Sequence, residues 1–220
     1  MRYFPRLPVA TILLTSGFLS ACNTTTPAAV TATPAMTVAT SGMTPSTSAF
    51  DRFKTGFDAA YVQRETTTPV SGSADYNGQV EVHTTASTTD PDNVVFGDVA
   101  MNVNFGGGAN PISATVSNIE GRIAATDTKI SGTLTHKVGS GINQIIVLPV
   151  AGTTRTNIGV QVEGALADPT GTLTGNARMV ITGTAFGADA ASFTGANSVA
   201  ITDSTGANKK NAGGRFYADK

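Results

Sequence analysis

The chain is 220 residues long, with 14 Lys and Arg against 15 Asp and Glu, a formal charge of −1, 24 Gly, one Cys and no Trp. Only 13 % of its residues are charged, so neither a nucleic-acid-binding patch nor a charge-extended tail fits this balance. One cysteine cannot form an intramolecular disulfide, and an exported domain built from this chain must rest on its own core.

The first segment reads as an export signal, not as fold. Arg2 and Arg6 make a positive start, and residues 7–19 form an apolar stretch too short for an ordinary transmembrane helix. It ends Leu19-Ser20-Ala21-Cys22, which resembles the bacterial lipobox: an apolar branched residue and two small ones ahead of the cysteine that is acylated. The resemblance implies cleavage before Cys22 and a palmitate-type anchor on it, each buried CH₂ contributing about 0.8 kcal/mol to membrane retention. It also implies passage through the export and lipoprotein-sorting machinery. Asn23 stands where Asp is the usual inner-membrane retention signal, so the expected location is the outer membrane. Losing residues 1–21 removes two arginines and no acids, which takes 14 against 15 to 12 against 15, or −3.

Residues 22–49 are the lipidated Cys and a Thr/Ala/Pro-rich tract with no charged side chain, a composition expected to stay disordered and to serve as a tether. Residues 50–69 follow as a short amphipathic helix and lead-in. Phe50, Phe53, Phe57 and Tyr61 recur at helical spacing, with Ser48 as N-cap and Asp51 in the first turn. Such a stripe serves as a plug or brace against an open barrel end, as a contact for a partner, or as a face packed on its own domain. Gly56 weakens the helix by about 1 kcal/mol relative to Ala.

From residue 70 to 220 the period changes to two. Val80, Val82 and Thr84 alternate with Gln79, Glu81 and His83, and Val99, Met101, Val103 and Phe105 alternate with polar or small neighbours. Further runs lie at 112–116, 129–135, 143–148, 157–162, 177–184 and 198–202. The expectation is an all-β domain of about eight antiparallel strands, a sheet that either folds into two layers or, as the preferred architecture, closes into a β-barrel to remove its edges. The many glycines suit bends and a tapered interior.

Several runs resemble a known family. Residues 69–78, Pro-Val-Ser-Gly-Ser-Ala-Asp-Tyr-Asn-Gly, are similar to the Gly-x-Ala-x-Tyr-x-Gly entry of the β-barrel domain in transferrin-binding protein B-like surface lipoproteins. Residues 97–105 resemble that family's second strand, Ile130-Ser131-Gly132-Thr133-Leu134 a later Ser-Gly-Thr strand, and residues 212–217, Ala-Gly-Gly-Arg-Phe-Tyr, its closing Gly-x-Phe-Tyr strand. Where the family continues into a further hairpin, this sequence has Ala218-Asp219-Lys220. If the last run is a strand, Phe216 faces inward and Tyr217 outward, because neighbours on a strand point to opposite faces. The resemblance implies a cell-surface, lipid-anchored barrel that binds a host protein, a metal or haem carrier or another ligand through its loops. It does not name the ligand.

Candidate chemistry is sparse. Of the two histidines, His83 sits beside Glu81 on the polar face of a strand and His136 near a strand end, both read as exposed strand residues. No spacing suggests a metal or a cofactor. Asp90-Pro91-Asp92-Asn93 reads as a turn before it reads as a calcium loop, Gly106-Gly107-Gly108 as a flexible hairpin and Lys209-Lys210 as a solvated turn. The chain is therefore read as a non-enzyme with no catalytic residues. The leading expectation is a binding protein that uses residues 86–93, 106–111, 137–142 and 204–211. The alternative is a structural or periplasm-facing envelope lipoprotein without a specific ligand, and a lipocalin-like carrier would need an apolar cavity.

Overall fold

The computed structural model describes residues 47–66, 70–139 and 141–220. The signal, Cys22 and the tether as far as residue 46 lie outside the described residues. One helix, α1 (Thr47–Tyr61), precedes ten strands: β1 (Ser73–His83), β2 (Val94–Asn104), β3 (Ile112–Ile123), β4 (Thr126–Ile130), β5 (Leu134–His136), β6 (Asn143–Val150), β7 (Thr153–Leu166), β8 (Gly175–Phe186), β9 (Ser192–Thr202) and β10 (Asn208–Asp219). Ser48 already lies inside α1, so it is not the N-cap expected from the sequence.

The ten strands make eight staves, because β4, β5 and β6 are collinear pieces of one. Along β3 this stave pairs through Ile119↔Ile130 to Ile123↔Thr126 and then Val116↔Leu134. Along β7 it pairs through Ser131↔Ala167, Thr135↔Glu163 and Asn143↔Val160 to Val150↔Thr153. The breaks fall at Gly132 and between 137 and 142, and Gly132 needs its positive φ of 118° because a Cβ there would meet the Ala165 carbonyl at 2.2 Å. The remaining staves pair in antiparallel order, and β10 returns to β1, closing the sheet as an eight-stranded antiparallel β-barrel. The expected closure by the Gly213–Tyr217 run is therefore met without a further hairpin.

Alternation fills the inside. Val80, Val99, Met101, Val116, Leu134, Val160, Ile181, Ile201 and Phe216 belong to one buried cluster that spans the barrel, so the interior is packed rather than hollow. Phe216 lies over the cross-strand pair Gly183↔Gly195, where a Cβ would come within 2.5 and 2.9 Å of its ring. These two glycines are the taper that admits the ring. Tyr217 faces outward as expected but is not in solvent: it packs with Phe53, Phe96, Ala49, Ala60 and Val94 beneath α1.

The helix thus lies along the outer wall over β1, β2, β10 and β9. It neither plugs an end nor stands free, and the reading of a stripe packed on its own domain holds. The face it buries is rotated from the aromatic stripe: Ala49, Phe53 and Ala60 are buried, Phe57 is half-buried, and Phe50 and Tyr61 lie at the margins. Small residues set that rotation, since they let the helix axis approach the wall. After α1 the chain turns under the barrel, where Thr66 donates its N–H to Ala185 and its hydroxyl to Gly187, and receives the Ala190 N–H.

Candidate binding cleft

The closing seam between β1 and β10 gathers three buried polar residues, Glu81, His83 and Asn197. The register of the two strands runs from Asn77↔Asp219 to Val80↔Phe216 and resumes at His83↔Gly213, leaving Glu81, Val82, Gly214 and Arg215 unpaired between. From inside, Asn197 Nδ2 donates to the Glu81 and Arg215 carbonyls, each at 2.9 Å. From outside, Arg215 Nε donates to Glu81 Oε2 at 2.8 Å, and the guanidinium stacks under Phe57 and Phe53 of α1 at 4.9 and 5.5 Å. The other carboxylate oxygen of Glu81 faces His83 Nε2 at 3.4 Å. A buried carboxylate survives here because two cationic or polar partners and a helix hold it.

This corrects the reading of Glu81 and His83 as solvent-facing. Both point outward as their alternation requires, but Glu81 is fully buried and His83 is 5 % exposed. The outer face of a strand is polar in sequence whether water or a helix covers it. Glu120 shares this covered face, and burial pushes its carboxyl above the usual range against the opposing charges of Lys129 and Arg52.

Beside the N-terminal turn of α1 a cleft of about 860 Å³ opens between helix and barrel end. Its apolar walls are Phe50, Pro91 and Val94; its polar groups come from Thr88, Thr89, Asp90, His83 and Arg215, and the Gly213-Gly214 backbone forms one side. Gly213 lines the cleft with backbone alone, and a Cβ there would meet the Asn197 carbonyl oxygen at 2.8 Å. His83 Nδ1 is buried and has no hydrogen-bond partner among the described residues. Asp90 caps the single 3-10 turn Pro91–Asn93, and hydrogen bonds from the Asn93 side chain and the Asp92 N–H hold its carboxyl below the usual range. The cleft therefore presents the Phe50 ring and the Thr88 and Thr89 side chains, beside the internally bonded Asp90 carboxylate and the buried His83 ring.

The other sequence candidates fall elsewhere. His136 is half-buried and bonded at both ring nitrogens: Nδ1 lies 3.2 Å from the Gln161 carbonyl and Nε2 accepts from Asn143 Nδ2 at 2.8 Å. It joins β5 to β6 across the break in their stave, and it is not the exposed residue expected. Oxygens of the 90–93 turn are spent internally, Asp92 on Arg122 and Asp90 on Asp92 and Asn93. Among the described residues no three His, Cys, Asp or Glu side chains converge. Gly107 and Gly108, with positive φ and open space around them, do form a turn between β2 and β3. Lys209 and Lys210 are not in a turn; they lie on β10, where the register shift between Asn208 and Lys210 makes Lys209 a bulge. Lys209 Nζ donates to the Thr174 carbonyl at 2.9 Å and so ties down the neighbouring connection.

Nor do the four expected loops converge. Residues 84–93 and 203–207 cap one end, 105–111 the other, and 137–142 leaves the middle of the wall. Of these, 88–91 alone line the cleft. The remaining lining residues are Phe50, His83, Val94, Gly213, Gly214 and Arg215, of which Val94 carried no sequence signal for a site. A closed, solid all-β barrel with an external helix is what the fold defines. No family model matches the chain, and neither a curated protein nor a solved structure is significantly similar to it.

Proposed function

We propose that the chain is an outer-membrane lipoprotein, anchored through acylated Cys22 and facing the cell surface, whose barrel is a rigid scaffold for binding a host protein, a metal or haem carrier or another ligand at the cleft beside α1. The observation that carries the binding reading is the pairing of an open cleft with a buried, unpartnered His83 Nδ1 on its wall. A buried polar atom without a partner costs free energy that a ligand's hydrogen bond recovers. The packed interior leaves the outside of the barrel as the place for a partner. The lipobox-like Leu19–Cys22 run and the likeness to transferrin-binding protein B-like barrels support the location and the type of partner.

The test is capture from serum and culture medium by the full chain in the membranes of producing cells, beside Thr89→Trp. Thr89 is exposed at the cleft, so the indole fills the space without entering the core. A protein retained by the parent and lost in Thr89→Trp supports the reading. Retention of nothing by either chain favours the structural envelope lipoprotein instead.

A further inference from the structure

Between β3 and β6 the barrel wall is joined by side chains instead of a backbone ladder. Strand β5 pairs with β3 at Thr115↔Thr135 and Val116↔Leu134 and ends at His136. Strand β6 resumes along β7 at Asn143↔Val160, without a ladder to β3 among the described strands. The start of β3 thus meets the break with the N–H and C=O of Ile112, and one amide side chain takes both. Asn143 Oδ1 accepts the Ile112 N–H at 3.0 Å, and Asn143 Nδ2 donates to the Ile112 carbonyl at 2.7 Å. Asn143 stands in for the missing strand residue. On the β7 side of the break the Gln161 N–H goes to the Ile142 carbonyl at 2.7 Å, and His136 Nδ1 lies 3.2 Å from the Gln161 carbonyl.

These partners fix every proton in the group. The Ile112 N–H can only donate, so Asn143 turns its oxygen to it; one hydrogen of Nδ2 then serves the Ile112 carbonyl and the other His136 Nε2, at 2.8 Å. The Gln161 carbonyl can only accept, so His136 carries its proton on Nδ1 and its lone pair on Nε2. A neutral ring satisfies all of this. A doubly protonated ring sets an N–H against the NH2 of Asn143. Rotating the amide to relieve that contact would turn its NH2 against the Ile112 N–H instead.

The charged groups around the ring do not offset the conflict. Lys137 follows it in the chain, and residues 112–116 of β3 and all of β6 carry no charge. On β7, Glu163 lies opposite Thr135 and so on the other face of the wall from His136, and it accepts from Gln161 Nε2 at 2.5 Å. Arg178 of β8 stands opposite Glu163 on that same outer face.

We infer that His136 is a proton-controlled latch on the seam between β3 and β6: its neutral ring holds Asn143 in the pairing position, and its protonation releases Asn143 and opens the wall there. Imidazoles ordinarily change charge between about pH 5 and pH 8, so the seam is closed at the upper end of that range and loosens as pH falls through it. The opening is local, because β6 stays laddered to β7 from Asn143 to Val150 and β3 stays laddered to β2. This inference is independent of the cleft and its ligand.

The test is hydrogen exchange of the full chain in detergent micelles at about pH 7.5 and about pH 5.5, read by mass spectrometry and corrected for the intrinsic effect of pH. Nitrogen NMR of the histidine rings at the upper pH accompanies it, with the His136 signals assigned by their loss in His136→Ala. The inference expects the Nδ1–H tautomer of His136 at the upper pH. It expects exchange in the segments that hold Ile112 and Asn143 to rise several-fold at the lower pH, while β8 and β9 stay protected. His136→Ala and Asn143→Ala should exchange in those segments at both pH values as the acidified parent does. Equal exchange of the parent's seam at both pH values would overturn the inference, and so would an Nε2–H ring at the upper pH. A rise shared by β8 and β9 would overturn it too, since the whole barrel would then be loosening. A rise that persists in His136→Ala would do the same, because another group would be the sensor.

Discussion

At the scale of the residue, Gly56 shows how a local rule is reversed by a contact. Glycine inside a helix costs about 1 kcal/mol relative to alanine, so Gly56→Ala should stabilise α1 if only the helix mattered. A Cβ at that position would lie 2.2 Å from Tyr217 Cζ and 2.3 Å from its hydroxyl oxygen, and Tyr217 is held between the barrel wall and Phe53. Gly56→Ala is therefore expected to destabilise the protein, by about 1–3 kcal/mol as overpacking does. In a Tyr217→Ala background the same change should become neutral or stabilising, since the ring that it meets is gone. Urea unfolding of the two single variants and the double variant checks this, and a stabilising Gly56→Ala in the parent chain would contradict the docking of α1.

At the scale of the element, the connection between β7 and β8 is held by one carboxylate. Burial alone would push Asp168 up, but hydrogen bonds from the Thr170 hydroxyl and the N–H groups of Leu173, Thr170 and Gly171 outweigh it and hold the carboxyl below its usual range. A depressed folded-state pKa contributes stability in full above the unfolded value of about 3.9, and that contribution is lost as pH falls through the folded value. Asp168→Asn should then cost about 1–3 kcal/mol at pH 7. The gap between variant and parent in thermal unfolding should narrow as the pH is lowered past that window. A gap that stays constant would mean that the charge of Asp168 is not what orders the connection.

The strands themselves were readable because half-buried strands alternate, and Val80-Glu81-Val82-His83 or Val99 to Val103 say so directly. Three features of the same elements were not readable. The start of β10 at Asn208 is polar on both faces, so Lys209 and Lys210 look like a turn until the bulge and the bond to Thr174 are seen. The runs at 129–135 and 143–148 look like two separate strands, the first without a break at Gly132, although the structure makes them pieces β4, β5 and β6 of one stave. Polar residues on the outer face give no sign of a helix above them, which is why Glu81 and His83 were expected in water. The cleft escaped for the same reason: Phe50, His83, Thr89 and Gly213 meet through closure of β10 on β1 and docking of α1.

At the scale of the whole molecule, the closed barrel, the external helix and the segment beneath the barrel form one support for surface chemistry. The filled interior contradicts what a lipocalin-like carrier needs. The account rests most heavily on Cys22, which would set where the barrel works.

The most direct measurement combines labelling of cells with radioactive palmitate, fractionation of their membranes, and protease treatment of the intact cells, on the parent chain and on Cys22→Ser. The account predicts a parent that is labelled, sediments with the outer membrane and is degraded by protease added outside. It predicts a Cys22→Ser chain that is unlabelled and leaves the washed membranes. Cys22→Ser remaining in those membranes would contradict the lipid anchor, and a labelled parent that survives protease on intact but not on broken cells would contradict the surface location.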